Sequence, residues 1–114
     1  MIDQTELARI RFCGKYEITE FKTSRLYQSL AEAHIPEYMH DGVIRYIVNH
    51  IAPGDFLEAV ISNDLREAVA RADSENREAL VHWVIWFYNH APSACWGSTK
   101  RLKQWLYPIP KTLL

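Results

Sequence analysis

Glycine is scarce in this chain, four in 114 residues, and cysteine scarcer, with two. The glycines stand singly at positions 14, 42, 54 and 97, so the glycine-rich loops that cradle phosphates in dinucleotide-binding and P-loop folds are absent. Cys13 and Cys95 are too few for a disulfide framework in a domain of this size, which favours a reducing compartment. Long apolar runs are missing as well. The densest one covers about ten residues around an interrupting His82, against roughly 20 for a bilayer-crossing helix. The first six residues, Met1 to Glu6, lack the basic-then-apolar pattern of a secretory signal. Net charge is only −1, so no global attraction to nucleic acid or membrane follows. These absences together point to the cytosol and away from a membrane.

What is present is the composition of a globular domain, 48% hydrophobic and 24% charged. A chain of this length buries a core without metal or disulfide staples, so one domain is expected over 1–114. It divides into an N-terminal element (1–34), a helical core (35–106) and an extended tail (107–114). Charge is unevenly distributed. Residues 37–75 hold three basic and eight acidic side chains, whereas residues 76–114 hold five basic and one acidic. Such a split can form an acidic and a basic face, or fold into one mixed surface.

The apolar spacing predicts a mainly α fold, a compact bundle of about five helices around a buried apolar helix. Ser24 caps a short helix from Arg25 to Ala33, with Leu26 and Leu30 on its inner face. Met39, Val43, Tyr46, Ile47 and Ile51 form a helical stripe over about 37–51, stopped by Pro53-Gly54. Asp55 and Asp64 each precede a glutamate by three residues, the spacing of a capping box, and predict helices at 56–62 and 65–72. Asp73 or Ser74 caps the central helix, about 74–90. Nine of the ten residues from Ala79 to Tyr88 are apolar, so this helix is expected to be covered on every side, by its own domain or by a second copy of the chain. A homodimer is the preferred assembly. Ser98 or Thr99 caps a last helix, Lys100 to Leu106, and Pro108 and Pro110 extend the tail. The N-terminal element has two readings. Ile10, Phe12, Tyr16 and Ile18 share one face of a β-hairpin with a three-residue loop, yet Thr5 to Phe12 also suits a short helix.

Few residues suggest chemistry. Cys95 near a helix start, with His82 or His90 as base, is the one nucleophile arrangement, and a buried structural cysteine is the plainer reading. The five histidines make no ligand set at metal spacing, so no metal, no cofactor and no catalytic residue is assigned. A ligand or anion site is conceivable at Asn63, Asp64, Arg71, Asp73 and Asn76, where the positive end of the central helix and Arg71 would hold a phosphate. The same residues serve equally as caps and inter-helix ion pairs. Lys100, Arg101 and Lys103 beside Trp96 and Trp105 form a basic helix with aromatic neighbours, a candidate contact for a protein partner or single-stranded nucleic acid.

The segments Gly42-Val43-Ile44-Arg45-Tyr46, Pro53-Gly54-Asp55-Phe56-Leu57, Ser62-Asn63-Asp64-Leu65, Arg71-Ala72-Asp73, Tyr88-Asn89-His90-Ala91-Pro92 and Cys95-Trp96-Gly97-Ser98 form a recurring combination. In them the stretch from Ile35 to Trp105 resembles a family of small uncharacterised proteins encoded by bacteriophages and prophages. The resemblance implies a viral or prophage origin and transfers no activity and no functional residue; the first 34 residues lie outside it. With no enzymatic motif in view, the expectation is a non-enzymatic phage accessory protein. It would bind and inhibit a host component, in anti-defence, either by blocking a host protein surface or by sequestering a nucleotide signal. A nucleic-acid-associated factor using the C-terminal basic helix is the alternative, and a cysteine-dependent enzyme the third.

Overall fold

A computed structural model describes residues 25–108. The hairpin-or-helix alternative at 5–21, the Ser24 cap and the apolar end of the tail lie outside these residues. The described chain is mainly α. Its helices are α1 (Arg25–Glu32), α2 (His40–Asn49), α3 (Asp55–Ile61), α4 (Leu65–Arg71), α5 (Ser74–Glu78), α6 (Leu80–His90) and α7 (Thr99–Leu106), with 3-10 turns at Glu37–Met39 and Ser93–Cys95. Among the described residues no helix is long and apolar enough to cross a membrane.

Among the described residues there are seven α-helices where about five were expected, partly because the 74–90 stretch breaks at Ala79 (φ −88°, ψ 4°) into α5 and α6. Side-chain caps form where the spacing put them at Asp64, Asp73 and Ser98, each accepting the amide three residues on. At α3 the cap differs. Gly54 is the N-cap, at φ 101°, with no side-chain bond, and Asp55 is the first helical residue. A backbone at that φ suits glycine and leaves Asp55 to face the positive helix end. His50 closes α2 in the left-handed region, its amide reaching the carbonyls of Arg45 and Tyr46.

The core draws on every described helix except α5. Val43, Ile44, Tyr46 and Ile47 of α2, Leu57 and Ile61 of α3, Leu30 of α1 and Trp83, Trp86 and Phe87 of α6 are almost wholly buried. Large side chains of this kind contribute roughly 1.5–3 kcal/mol each on burial, and their two indole N–H groups, with that of Trp105, have internal acceptors. Trp83 donates to the Asn76 side-chain oxygen (3.0 Å), Trp86 to the Ser29 hydroxyl (2.8 Å), and Trp105 to the Tyr46 carbonyl (2.9 Å).

The described residues do not cover the central helix all round. Trp83, Trp86 and Phe87 face the core, but Val81 (68% exposed), Val84, Ile85 and Tyr88 (69%) face out. The inner three already fill the space between α1 and α3, where Phe56 meets Trp83 edge-on at 6.2 Å. Opposite them no element of the described chain lies over the outer four.

Candidate functional site

The outward residues of α6 recur at 81, 84, 85 and 88, one stripe of a 3.6-residue helix. On one flank the stripe adjoins Leu65 at the start of α4, with Val84 and Leu80 in a shallow groove between the helices. Toward its C-terminal end it opens into a larger cleft of about 470 Å³.

Three pieces of chain build that cleft. α6 supplies Val84 and Tyr88, the turn between α3 and α4 supplies Asn63, and the segment after α6 supplies Ser93 and Trp96, with Arg101 reaching in from α7. Asn63 sits there because the turn needs a left-handed residue (φ 64°), a conformation asparagine tolerates. The Gly97 amide donates to the carbonyl of Ile61 at 2.7 Å, fastening the 93–97 segment to the end of α3. Arg101 then clasps the same segment, one guanidinium nitrogen, Nη1, donating to the carbonyls of Ser93 (3.1 Å) and Trp96 (3.2 Å). Trp96 stacks on buried Phe87 at 5.5 Å and 28°.

The polar groups left over converge on the cleft. Nε and Nη2 of Arg101, the Trp96 indole N–H, the Tyr88 hydroxyl and the Asn63 amide have no partner among the described residues, and no lining residue is acidic. Volume and lining match a small-ligand site, for which about 300–1,000 Å³ of mostly apolar wall with a few placed polar groups is usual.

The residues singled out from sequence are distributed differently. Asn63 and Arg101, from two separate candidate sets, come together in the cleft. Asp64 caps α4 through the Glu67 amide (3.2 Å), and Arg71 pairs with Glu67 (3.2 Å) and reaches the Asp55 carbonyl (3.5 Å). Asp73 caps α5 and accepts the Tyr38 hydroxyl, which with the Asn76 amide holds its carboxyl below the usual carboxylate range. Asn76 is buried, accepting from Trp83 and donating to Tyr38 (3.4 Å). Asp73 and Asn76 are therefore tied together with Tyr38 and Trp83, Arg71 is tied to Glu67 and Asp55, and Asp64 is a helix cap at the shallow groove between α4 and α6, so none of the four lines the larger cleft.

On α7, Lys100, Arg101 and Lys103 are exposed, but Trp105 turns inward, bonded to Tyr46 and ring to ring with His50 at 4.9 Å. Its face is thus not offered to a stacking base. Cys95 is fully buried in its 3-10 turn, beneath the bond from the Tyr46 hydroxyl to its carbonyl (2.6 Å). Burial pushes His90 below the ordinary imidazole value. Among the described residues no three His, Cys, Asp or Glu side chains are grouped to hold a metal.

Tyr88, Ser93 and Val84 are not singled out as site residues by the sequence, and Trp96 enters only as an aromatic neighbour of the basic helix. The 81/84/85/88 spacing carried a signal for the first and third, but an apolar residue written on a helix does not say which side is covered. No protein-family model, curated protein or solved structure matches the chain.

Proposed function

We propose that the chain is a non-enzymatic accessory protein of phage or prophage origin that works in the host-cell cytosol, binding a small host component and withholding it from a defence system. The cleft at Arg101 is the observation that carries this reading: a walled space with unpartnered donors and no acidic lining, beside a cysteine too buried to act as a nucleophile. It replaces the Arg71–Asp73 region as the place where such a component would sit. Phage origin rests on the sequence resemblance alone. The test is to incubate the purified protein with a bacterial small-molecule extract, wash, denature and analyse what is released. A compound retained by the wild type and lost in Arg101→Gln is expected; no compound above background refutes withholding.

A second reading concerns the α6 stripe. Leu65, Val81, Val84, Ile85 and Tyr88 are between 43% and 69% exposed and carry no charge, a ready apolar centre for an interface of roughly 800 Å² per partner. The stripe suits a second copy of the chain. Antiparallel pairing of two α6 helices sets Val84 against Ile85 and Val81 against Tyr88, reciprocally, as a two-fold interface requires. Light scattering should report a dimer for the wild type and a monomer for Ile85→Glu. A wild-type monomer at tens of micromolar refutes the dimer; if that monomer captured a host protein through the stripe, the chain would be a surface blocker instead. The nucleic-acid reading has the three α7 cations and the partly exposed Trp96, with Trp105 turned inward. Binding to single-stranded DNA that weakens steeply with salt and vanishes on Lys100/Arg101/Lys103→Ala would revive it.

A further inference from the structure

We infer that the cleft takes a flat aromatic ring carrying an anionic group, with Arg101 as the anion's partner and Tyr88 and Trp96 as the walls for the ring. The inference rests on the reading of the cleft as a binding site and names the chemistry of its ligand.

The anion follows from Arg101. Its Nη1 is spent on the carbonyls of Ser93 and Trp96, which fixes the plane of the guanidinium, while Nε and Nη2 keep their hydrogens without an acceptor among the described residues. A fixed fork with two idle donors is what a carboxylate or phosphate recognises in bidentate fashion. No carboxylate lines the cleft to compete, and the chain from 76 onward has five basic side chains against one acidic.

The ring follows from the tryptophans. The chain has four, and Trp83, Trp86 and Trp105 each spend their indole N–H on an internal acceptor. Trp96 does not, and it is the one that lines the cleft. Its stacking on Phe87 holds the indole in place, and Tyr88 stands on the α6 side with its hydroxyl unpartnered. Rigid aromatic walls bind a flat ring at little cost in side-chain freedom, because each has only two torsions to fix. The Trp96 N–H and the Asn63 amide then face the ring's edge with both donors and an acceptor.

The four indole N–H resonances provide the test. In ¹⁵N spectra of the whole protein, with the Trp96 signal assigned by Trp96→Phe, the probes are AMP, indole-3-acetate, adenosine and inorganic phosphate. AMP, indole-3-acetate or both should shift the Trp96 signal saturably, leaving the other three in place. Adenosine and phosphate alone should bind at least about ten-fold more weakly, as expected for loss of a charge-assisted contact. AMP alone would identify a phosphate-bearing ligand, indole-3-acetate alone a carboxylate-bearing one, and either outcome supports the inference. Arg101→Lys, which keeps the charge but loses the fork, and Tyr88→Ala, at an exposed position, should each weaken binding several-fold. No movement of Trp96 with any probe, adenosine binding as tightly as AMP, or unchanged affinity in both variants overturns it. A compound released from the wild type in the extract experiment alongside such a failure would leave the binding function standing and remove only this ligand class.

Discussion

The indole N–H of Trp83 donates to the side-chain oxygen of Asn76 at 3.0 Å, across the break at Ala79 that separates α5 from α6. Asn76 also donates to the Tyr38 hydroxyl, which in turn donates to Asp73, so one buried amide links α6, the cap of α5 and the turn before α2.

Removing that amide strands the Trp83 N–H inside the core. Asn76→Ala is expected to cost about 1–3 kcal/mol, the usual range for an unsatisfied buried donor. Asp73→Ala, which loses a helix cap at an exposed position, should cost less. Urea unfolding of the two variants would show the order; equal, negligible losses would contradict the role given to Asn76.

Alkaline pH should weaken the fold. Burial and the hydrogen bond to Asp41 push Tyr27 up to about 12, and the bond to Asp73, with a smaller part from burial, does the same for Tyr38. The unfolded chain releases these protons near 10 while the folded chain holds them to about 12. Stability is therefore complete below about pH 10 and falls as pH rises through 12. Urea midpoints taken from pH 8 to 11.5 should decline on the alkaline side, and less steeply in Tyr27→Phe.

Gly97 has φ 110°, and a Cβ there would stand 3.3 Å from Nη1 of Arg101. Gly97→Ala should destabilise by about 1–2 kcal/mol, from the left-handed backbone alone, and loosen the clasp on the 93–97 segment. Gly54 has a similar φ of 101° with open space around it, so Gly54→Ala isolates the backbone share. A larger loss at 97 than at 54, by thermal unfolding, is the expected result.

Cys95 should resist alkylation in the native protein and react once denaturant opens the core, because its side chain is wholly buried. Peptide mapping after a timed iodoacetamide pulse reads it directly. Rapid native reaction that persisted at low pH would restore the cysteine-enzyme reading.

The helix boundaries were mostly legible. Local signals act within one turn, so Asp64, Asp73 and Ser98 mark helix starts where they were read, and α2 stops before Pro53-Gly54. The Gly54 cap was hidden because Asp55-Phe56-Leu57-Glu58 has the same letters as a capping box whether Asp55 is the cap or the first helical residue. The cleft was harder. Asn63 and Arg101 lie 38 positions apart and meet through the Gly97–Ile61 bond, a contact between two backbones that no side-chain pattern records. The open side of α6 was hidden for a different reason: nine apolar letters in ten imply burial all round, and only the packing of Trp83, Trp86 and Phe87 reveals which half is enclosed.

The bonds that close α2 onto the C-terminal part of the molecule span long stretches of chain, 49 residues from Tyr46 to Cys95 and 59 from Tyr46 to Trp105. A ribosome adds about 5–20 residues per second, so α2 waits roughly 3–10 s for these partners while helices themselves form within microseconds. During synthesis the Val43, Tyr46 and Ile47 side of α2 therefore stays open to chaperones long after the helix exists. The nascent chain acquires its local structure early and its water-tight interior only when the last helix has emerged.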